Sequence, residues 1–168
     1  MRLLLALMLA LSAHGAITDL HGNIDNRPRG IRNNNAGNIT SIRWQRWHGA
    51  IGFDNDGYLI FRRRIDGIRA VVINLKAYRS KYGIRTPFGI VKRWTRGQSQ
   101  VDQIKYVRVI CERLAYHNGV NYVDPYTKID LNDPEILLSI TRSIIYYENG
   151  VDPYPDNLYE TIFPWVGK

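Results

Sequence analysis

The chain has 168 residues, 45% of them hydrophobic, with 23 lysines and arginines against 15 aspartates and glutamates. This length suits one domain, and the hydrophobic content excludes a chain that is disordered throughout. Its one cysteine, Cys111, excludes an internal disulfide and a cysteine-based metal site, and the four histidines lack the spacing of zinc ligands. Because nucleotide-binding glycine motifs are also missing, we expect neither a metal nor a cofactor.

The net charge of +8 is unevenly distributed along the chain. Residues 27–96 hold 16 basic and 3 acidic residues, whereas residues 97–168 hold 6 basic and 10 acidic ones. A basic segment of this kind indicates a polyanionic partner, which includes nucleic acid, anionic lipid and the acidic polymers of a bacterial envelope. The alternative is that the acidic half simply packs beside the basic half.

The first residues have the pattern of a secretory signal. Arg2 precedes an apolar run over 3–11, and small residues follow, with Ala13 and Gly15 fitting a signal-peptidase site before Ala16. The run is too short for a membrane span, although an uncleaved anchor is the alternative. We therefore expect a signal peptide at 1–15, one domain at 16–168, and export to the periplasm or cell envelope. Nucleic acid is then not expected as a partner.

The amino-terminal half of the mature chain is turn-rich and then β-prone. Residues 17–38 predict a loop, and residues 39–47 a short strand. Two β-prone runs, 51–54 and 58–61, flank Asp56-Gly57, a pair that suits a tight hairpin turn.

The rest of the chain predicts helices. Asp66 is a candidate N-cap for the first, which ends near Gly83, and Thr86-Pro87 begins a short second helix through Trp94. A third helix covers 101–117, with an apolar stripe that consists of Ile104, Val107, Cys111 and Leu114. Asp133-Pro134 begins a fourth helix that Gly150 ends, and a terminal helix is expected at 156–162. The fold class is α+β, a mainly helical body with a small hairpin.

Glu148 is the strongest candidate for chemistry. It shares a helix face with Leu137, Thr141 and Ile144, so its carboxyl projects from a largely apolar stripe. Burial and the carboxyl end of a helix both favour the protonated acid, which a general acid needs near neutral pH. The basic segment could instead hold Glu148 ionised. The alternative role is a structural glutamate that caps a neighbouring segment.

Further candidates for ligand binding lie in the turn-rich region. Asn33, Asn34 and Asn38 offer donors and acceptors that suit sugar hydroxyls and amides, or they stabilise a surface turn. Asp54 could supply a second carboxylate to a glycosidase pair. Several aromatic residues could stack on sugars, although most are expected in the core: Trp44, Trp47, Tyr58, Trp94, Tyr146, Tyr147 and Tyr154.

An ordered set of motifs over residues 29–156 resembles a bacteriophage and prophage family often called structural protein P5-like, after a cystovirus lysis enzyme. These motifs are Arg29-Gly30-Ile31-Arg32-Asn33-Asn34-Asn35-Ala36-Gly37-Asn38-Ile39, Gly52-Phe53-Asp54 with Gly57-Tyr58, Asp66-Gly67-Ile68-Arg69-Ala70, Lys81-Tyr82-Gly83 with Thr86, Arg93-Trp94, Asp130-Leu131 with Asp133-Pro134, and Glu148-Asn149-Gly150 with Pro153-Tyr154. Ala36 stands where the family has proline, and Tyr147 where a histidine is expected.

The resemblance implies a lysozyme-like fold and attack on peptidoglycan. The end of the Glu148 helix also resembles that of lytic transglycosylases, where such a glutamate is the catalytic acid/base. In those enzymes the helix precedes an asparagine-bearing loop, whereas here the order is reversed. A circularly permuted arrangement, with Glu148 close to the loop at 33–38, is our hypothesis.

These observations predict an exported, phage-encoded enzyme that cleaves the glycan strands of peptidoglycan, as a lytic transglycosylase or a muramidase. Glu148 is the predicted catalytic residue; the predicted substrate-binding residues are Asn33, Asn34, Asn38, Asp54, Tyr147 and Tyr154. Expected partners are peptidoglycan, the anionic cell envelope and other virion proteins. The alternatives are a peptidoglycan endopeptidase and a non-catalytic virion or wall-binding protein of the same fold.

Overall fold

The computed structural model describes residues 25–41, 43–97 and 99–163. The predicted signal peptide at 1–15, and its cleavage before Ala16, lie outside the described residues. Within the described ranges, no helix is both long enough and apolar enough to cross a membrane.

The predicted loop at 17–38 contains a short helix, α1 (Arg29–Arg32), so the loop prediction is wrong at these residues. The carbonyl of Pro28 accepts bonds from the amides of Ile31 and Arg32, and the Arg29 carbonyl accepts from Asn33. Proline fixes the extended entry into this turn. One helical turn is too short to produce a periodic hydrophobic pattern, so the polar residues of this segment predict a loop rather than a helix.

Strands β1 (Ala50–Phe53) and β2 (Leu59–Phe61) form the predicted antiparallel hairpin. Phe53 pairs with Leu59 and Ala50 with Phe61, with an irregularity in register between Ala50 and Gly52. The prediction of a strand at 39–47 is wrong. Among the described residues of that segment, Thr40 forms an isolated bridge to Tyr58, and residues Trp44–Arg46 form a 3₁₀ turn.

Helix α2 (Arg64–Tyr82) follows the hairpin and begins three residues earlier than predicted. Arg63, not Asp66, is its N-cap residue. Asp66 is buried in the first turn, where its carboxylate binds Arg63 and faces His48, so it is not available to cap a backbone amide. Gly83, with a positive φ of 64°, ends the helix as predicted.

Two helices follow in positions close to the predicted ones. α3 (Pro87–Trp94) is capped by the Thr86 hydroxyl, and α4 (Gln100–His117) is capped by Ser99. Val107, Cys111 and Leu114 are buried as predicted, but Ile104 is 58% exposed. Ile104 lines an open apolar groove on the outer side of α4, so the prediction that it belongs to the core stripe is wrong.

The last two helices, α5 (Pro134–Asn149) and α6 (Asp156–Ile162), match the prediction. The Asp133 carboxylate caps α5, and Gly150 ends it with a φ of 70°. Helices α4 and α5 form the most extensive helix pair, and α2 packs on the other side of α5. The fold is thus the predicted α+β class, a mainly helical body with one hairpin. The carboxyl end of α5 lies against the segment around α1, and the candidate site is at this junction.

Candidate functional site

Glu148 lies in the last turn of α5, and its side chain is surrounded by three donors from other parts of the fold. Oε1 accepts hydrogen bonds from Trp94 Nε1 at 3.0 Å and from the Tyr106 hydroxyl at 3.1 Å. Oε2 accepts one from Asn38 Nδ2 at 3.2 Å. The loop after α1, the end of α3 and the middle of α4 therefore meet at one carboxyl group.

None of the three donors carries a charge. Burial raises the pKa of the Glu148 carboxyl above its ordinary value, and the bonds from Asn38, Trp94 and Tyr106 oppose that rise without cancelling it. Among the described residues, no arginine or lysine forms an ion pair with Glu148. The basic segment does not neutralise this carboxyl, so burial decides the direction of the shift.

Tyr106 and Trp94 hold the carboxyl from one side. The Tyr106 side chain is buried and stacks on Tyr147, with ring centroids 3.8 Å apart. Burial, followed by the charge of Glu148, raises the pKa of the Tyr106 hydroxyl well above its ordinary value, so it remains a donor. Trp94 packs edge-on against Tyr78 and lies so close to Gly37 that a Cβ there would come within 2.8 Å of its ring.

The asparagine run has mostly structural contacts, and only Asn38 reaches the acid. Asn33 Nδ2 donates to Asp54 at 2.7 Å, and Asn34 Nδ2 donates to the Phe61 carbonyl at 3.2 Å. Asn35, not among the predicted site residues, is fully buried and ties the loop to Leu59. Asn33 and Asn34 are therefore joined to the hairpin rather than to Glu148.

The loop and the end of α5 are fastened together by a second asparagine. Asn149 Nδ2 donates to the Ala36 carbonyl at 2.8 Å, and Asn38 also donates to the Glu148 carbonyl at 3.1 Å. Gly30 is required here, because a Cβ would lie 2.4 Å from Asn149 Oδ1. The predicted proximity of Glu148 to the loop at 33–38 is confirmed, while the circular permutation remains a hypothesis.

An open groove of about 530 Å³ begins beside the acid. Asn38 and Trp94, which both bind Glu148, are part of its wall, and one face of α2 forms its length. The groove is polar and aromatic, with these lining residues: Gly37, Asn38, Ile39, Thr40, Trp47, Ile73, Asn74, Ala77, Tyr78, Lys81, Tyr82, Arg93, Trp94 and Arg96. A ring-bearing polar ligand fits such a surface.

Asp54 organises the hairpin turn. Its Oδ1 accepts from the amides of Asp56 and Tyr58, and its Oδ2 accepts from Asn33. Within the described ranges, no hydrogen bond joins Asp54 to Glu148. The structure thus gives this carboxylate a turn-capping role and shows no contact that would pair it with the acid.

The two predicted tyrosines differ in position. Tyr147 is half-buried beside Tyr106, and its hydroxyl donates to the Asp102 carbonyl at 3.3 Å. Tyr154 is only 6% exposed, and burial raises the pKa of its hydroxyl to about 12. A buried ring offers no free face to a ligand, so the structure does not support Tyr154 as a stacking residue.

Comparison with known proteins gives one informative similarity. Over 162 residues the chain is 28% identical to Protein P5 of Pseudoalteromonas phage PM2, an alignment that covers 95% of this chain and 94% of that protein. The similarity is to a phage protein. No protein-family model matches the chain. The phage relationship that the sequence motifs implied is thus supported over nearly the whole chain, whereas the name Protein P5 specifies no activity.

Sequence reasoning found the acid and Asn38 but missed the other two residues around it. The sequence suggests Trp94 only as a residue that could stack on a sugar, and its motifs do not include Tyr106. The sequence did contain a pattern that indicates Tyr106, because this residue lies at helical spacing with Ile110 and Leu114 and so places a hydroxyl on a buried stripe.

Within the described part of the chain, no cluster of His, Cys, Asp and Glu side chains could hold a metal ion.

Proposed function

We propose that the protein cleaves the glycan strands of peptidoglycan with Glu148 as general acid/base. The observation that carries this proposal is a glutamate whose pKa is raised by burial, held by three uncharged donors, beside an open aromatic groove. A general acid must keep its proton near neutral pH, and this setting favours that state. The motif resemblance supports the same role, and the similarity to a phage protein supports a phage origin.

In the proposed reaction Glu148 gives its proton to the glycosidic oxygen as the bond to the sugar carbon breaks. The resulting carboxylate accepts bonds from Trp94, Tyr106 and Asn38, which stabilise its charge at that moment. It then takes a proton from the attacking group. If that group is the 6-hydroxyl of the muramyl sugar, the product is an anhydro-sugar; if it is water, the product is a reducing end.

The groove gives the strand a place to lie. Trp94 connects it to the acid, and Trp47 and Tyr78 add aromatic surface along the wall. Export through the predicted signal would bring the enzyme to its substrate. We further propose that a phage encodes the protein and that the protein associates with the virion or with the cell envelope.

Mass spectrometry of the soluble products from purified peptidoglycan tests this function. We expect anhydro-sugars or reducing ends from the wild type, and none above background from Glu148→Gln. Glu160→Gln is the matched control, since Glu160 is exposed on α6 and loses the same charge. Released peptides with new free amino groups would support an endopeptidase instead. Wall binding without soluble products would support a non-catalytic wall-binding protein.

A further inference from the structure

Three cations lie together at one end of the groove described above. Lys81 and Tyr82 are in the last turn of α2, and Arg93 and Arg96 are at the end of α3 and just after it. The ends of the two helices meet where the Arg93 guanidinium stacks on the Tyr82 ring, with 3.7 Å between its central carbon and the ring centroid, and all three cations line this groove. The groove therefore begins beside Glu148, which is not one of its lining residues, and carries three cations.

Some arginines elsewhere in the fold are neutralised by carboxylates. Arg29, Arg63 and Arg79 each form an ion pair with an aspartate. For Lys81, Arg93 and Arg96, no carboxylate partner exists among the described residues, and none of the groove's lining residues is acidic. Cations at helix ends are favoured by the helix dipole. That effect explains where Lys81 and Arg93 lie, but it does not explain a groove without a neutralising carboxylate.

The aromatic surface beside the cations makes the groove suited to rings that carry negative charge. Tyr78 lies one helical turn before Tyr82 and contacts both Trp94 and Arg93. A sugar ring placed on this surface would bring its acidic substituents toward Lys81 and Arg96, which are both exposed. A carboxylate is the anion that a lysine and an arginine bind there with charge-assisted hydrogen bonds.

We propose that Lys81 and Arg96 bind the carboxylates of the peptide substituents on the glycan strand, so that the groove selects substituted, acidic strands over neutral ones. This inference rests on the proposed function, because it assumes that the strand lies in the groove. It assigns specificity to residues that do not touch Glu148. Neutral oligomers of N-acetylglucosamine should therefore bind weakly.

Isothermal titration calorimetry on Glu148→Gln protein tests this assignment without turnover of the ligand. The probes are tetrasaccharide fragments of peptidoglycan that carry their peptide stems, and the neutral N-acetylglucosamine tetramer. We expect the acidic probe to bind roughly tenfold more tightly, the effect of two surface ion pairs, and the difference to decrease with salt. Adding Lys81→Gln with Arg96→Gln should weaken binding of the acidic probe to the level of the neutral one.

The matched control is Lys105→Gln with Lys128→Gln, which removes the same charge from exposed positions outside the groove. It should keep the tenfold preference. Equal binding of the two probes by the parent protein, no binding of either, or an equal loss in the control would overturn the assignment. Intact Glu148-dependent cleavage in that case would leave the proposed function standing. Wall cleavage that persists in Glu148→Gln would instead contradict the proposed function, whatever the probes show.

Discussion

Two carboxyl groups, Glu148 and Asp66, are withdrawn from water, and their surroundings are opposite in kind. Asp66 accepts hydrogen bonds from Arg63 at 2.9 and 3.0 Å and faces His48 Nδ1 at 3.3 Å. Burial pushes the pKa of Asp66 upward, but Arg63 and His48 outweigh it and hold the pKa below its ordinary value. Glu148 has three neutral donors instead, and its pKa is raised.

The comparison shows that the charge of the partners, rather than burial alone, decides whether the pKa of a withdrawn carboxyl is lowered or raised. Asp66 remains charged and fixes the turn before β1 to the start of α2, where its carboxyl fills the space beside Gly49. Glu148 can hold its proton. The following substitutions separate the two roles, from the largest expected effect to the smallest.

Glu148→Gln should lower glycan cleavage by roughly 10²–10⁴-fold, the usual contribution of general acid/base catalysis. Its stability should not fall at neutral pH. Because its pKa is raised in the folded state, the Glu148 carboxyl stabilises the fold fully only at pH values below its unfolded-state pKa. This stabilisation is lost as the pH rises through the folded-state pKa, so replacing the carboxyl at neutral pH should not reduce the free energy of unfolding. Product release and thermal unfolding of the same sample measure both effects, and a strongly reduced melting temperature would contradict a purely catalytic role.

Gly67→Ala should disrupt both regions, because Gly67 follows Asp66 and packs on the loop that carries Asn38. A Cβ at this position would lie 1.8 Å from the Asn34 carbonyl oxygen, which is backbone and can move only with its loop. We expect a loss of about 3 kcal/mol in the free energy of unfolding, measured by denaturant titration. Ser80→Ala, at an exposed position on the same helix, is the control and should leave stability nearly unchanged.

Asp66→Asn should lower the free energy of unfolding by about 2 kcal/mol at neutral pH, since it removes a charge-assisted pair. The folded fraction should retain wild-type cleavage. Because the folded pKa of Asp66 is depressed, its stabilisation is present above the unfolded pKa of about 3.9 and is lost as the pH falls through the folded pKa. The difference between variant and wild type should therefore shrink in acid, and a difference independent of pH would argue against the ion pair.

Tyr106→Phe should have the smallest effect, a shift in the pH profile of cleavage. The hydroxyl lowers the pKa of Glu148, so its removal should raise that pKa further. Activity that needs the protonated acid is lost as the pH rises through this pKa, so the alkaline limb of the profile should move to higher pH. Tyr147→Phe, whose hydroxyl does not bind Glu148, should leave the limb unchanged.

The features that the sequence could predict are those determined by local pattern. Capping residues such as Thr86 and Asp133, the glycine after α5 and the Asp-Gly turn each act within a few residues, so the elements that they bound were predicted correctly. The prediction failed where distant contacts decide the outcome. Asp66 is bound by Arg63 and His48 rather than capping its helix.

The candidate site divides in the same way. The apolar face of α5 identified Glu148 within one helix. Its partners come from segments that are 42 to 110 residues away in the chain, so no local spacing could identify Tyr106, Trp94 or Asn38 as its donors. The resemblance of the helix end to lytic transglycosylases supplied the proximity of the loop at 33–38, because the reversed order of helix and loop suggested a circularly permuted arrangement.

A carbon-13 NMR titration of the Glu148 and Asp66 carboxyls in the same sample tests the central claim most directly. The account predicts that Glu148 titrates above the ordinary glutamate pKa of about 4.3 and that Asp66 titrates below the ordinary aspartate pKa of about 3.9. A Glu148 carboxyl that titrates at or below the ordinary glutamate value would contradict the account, because a carboxylate already ionised in acid has no proton to donate near neutral pH.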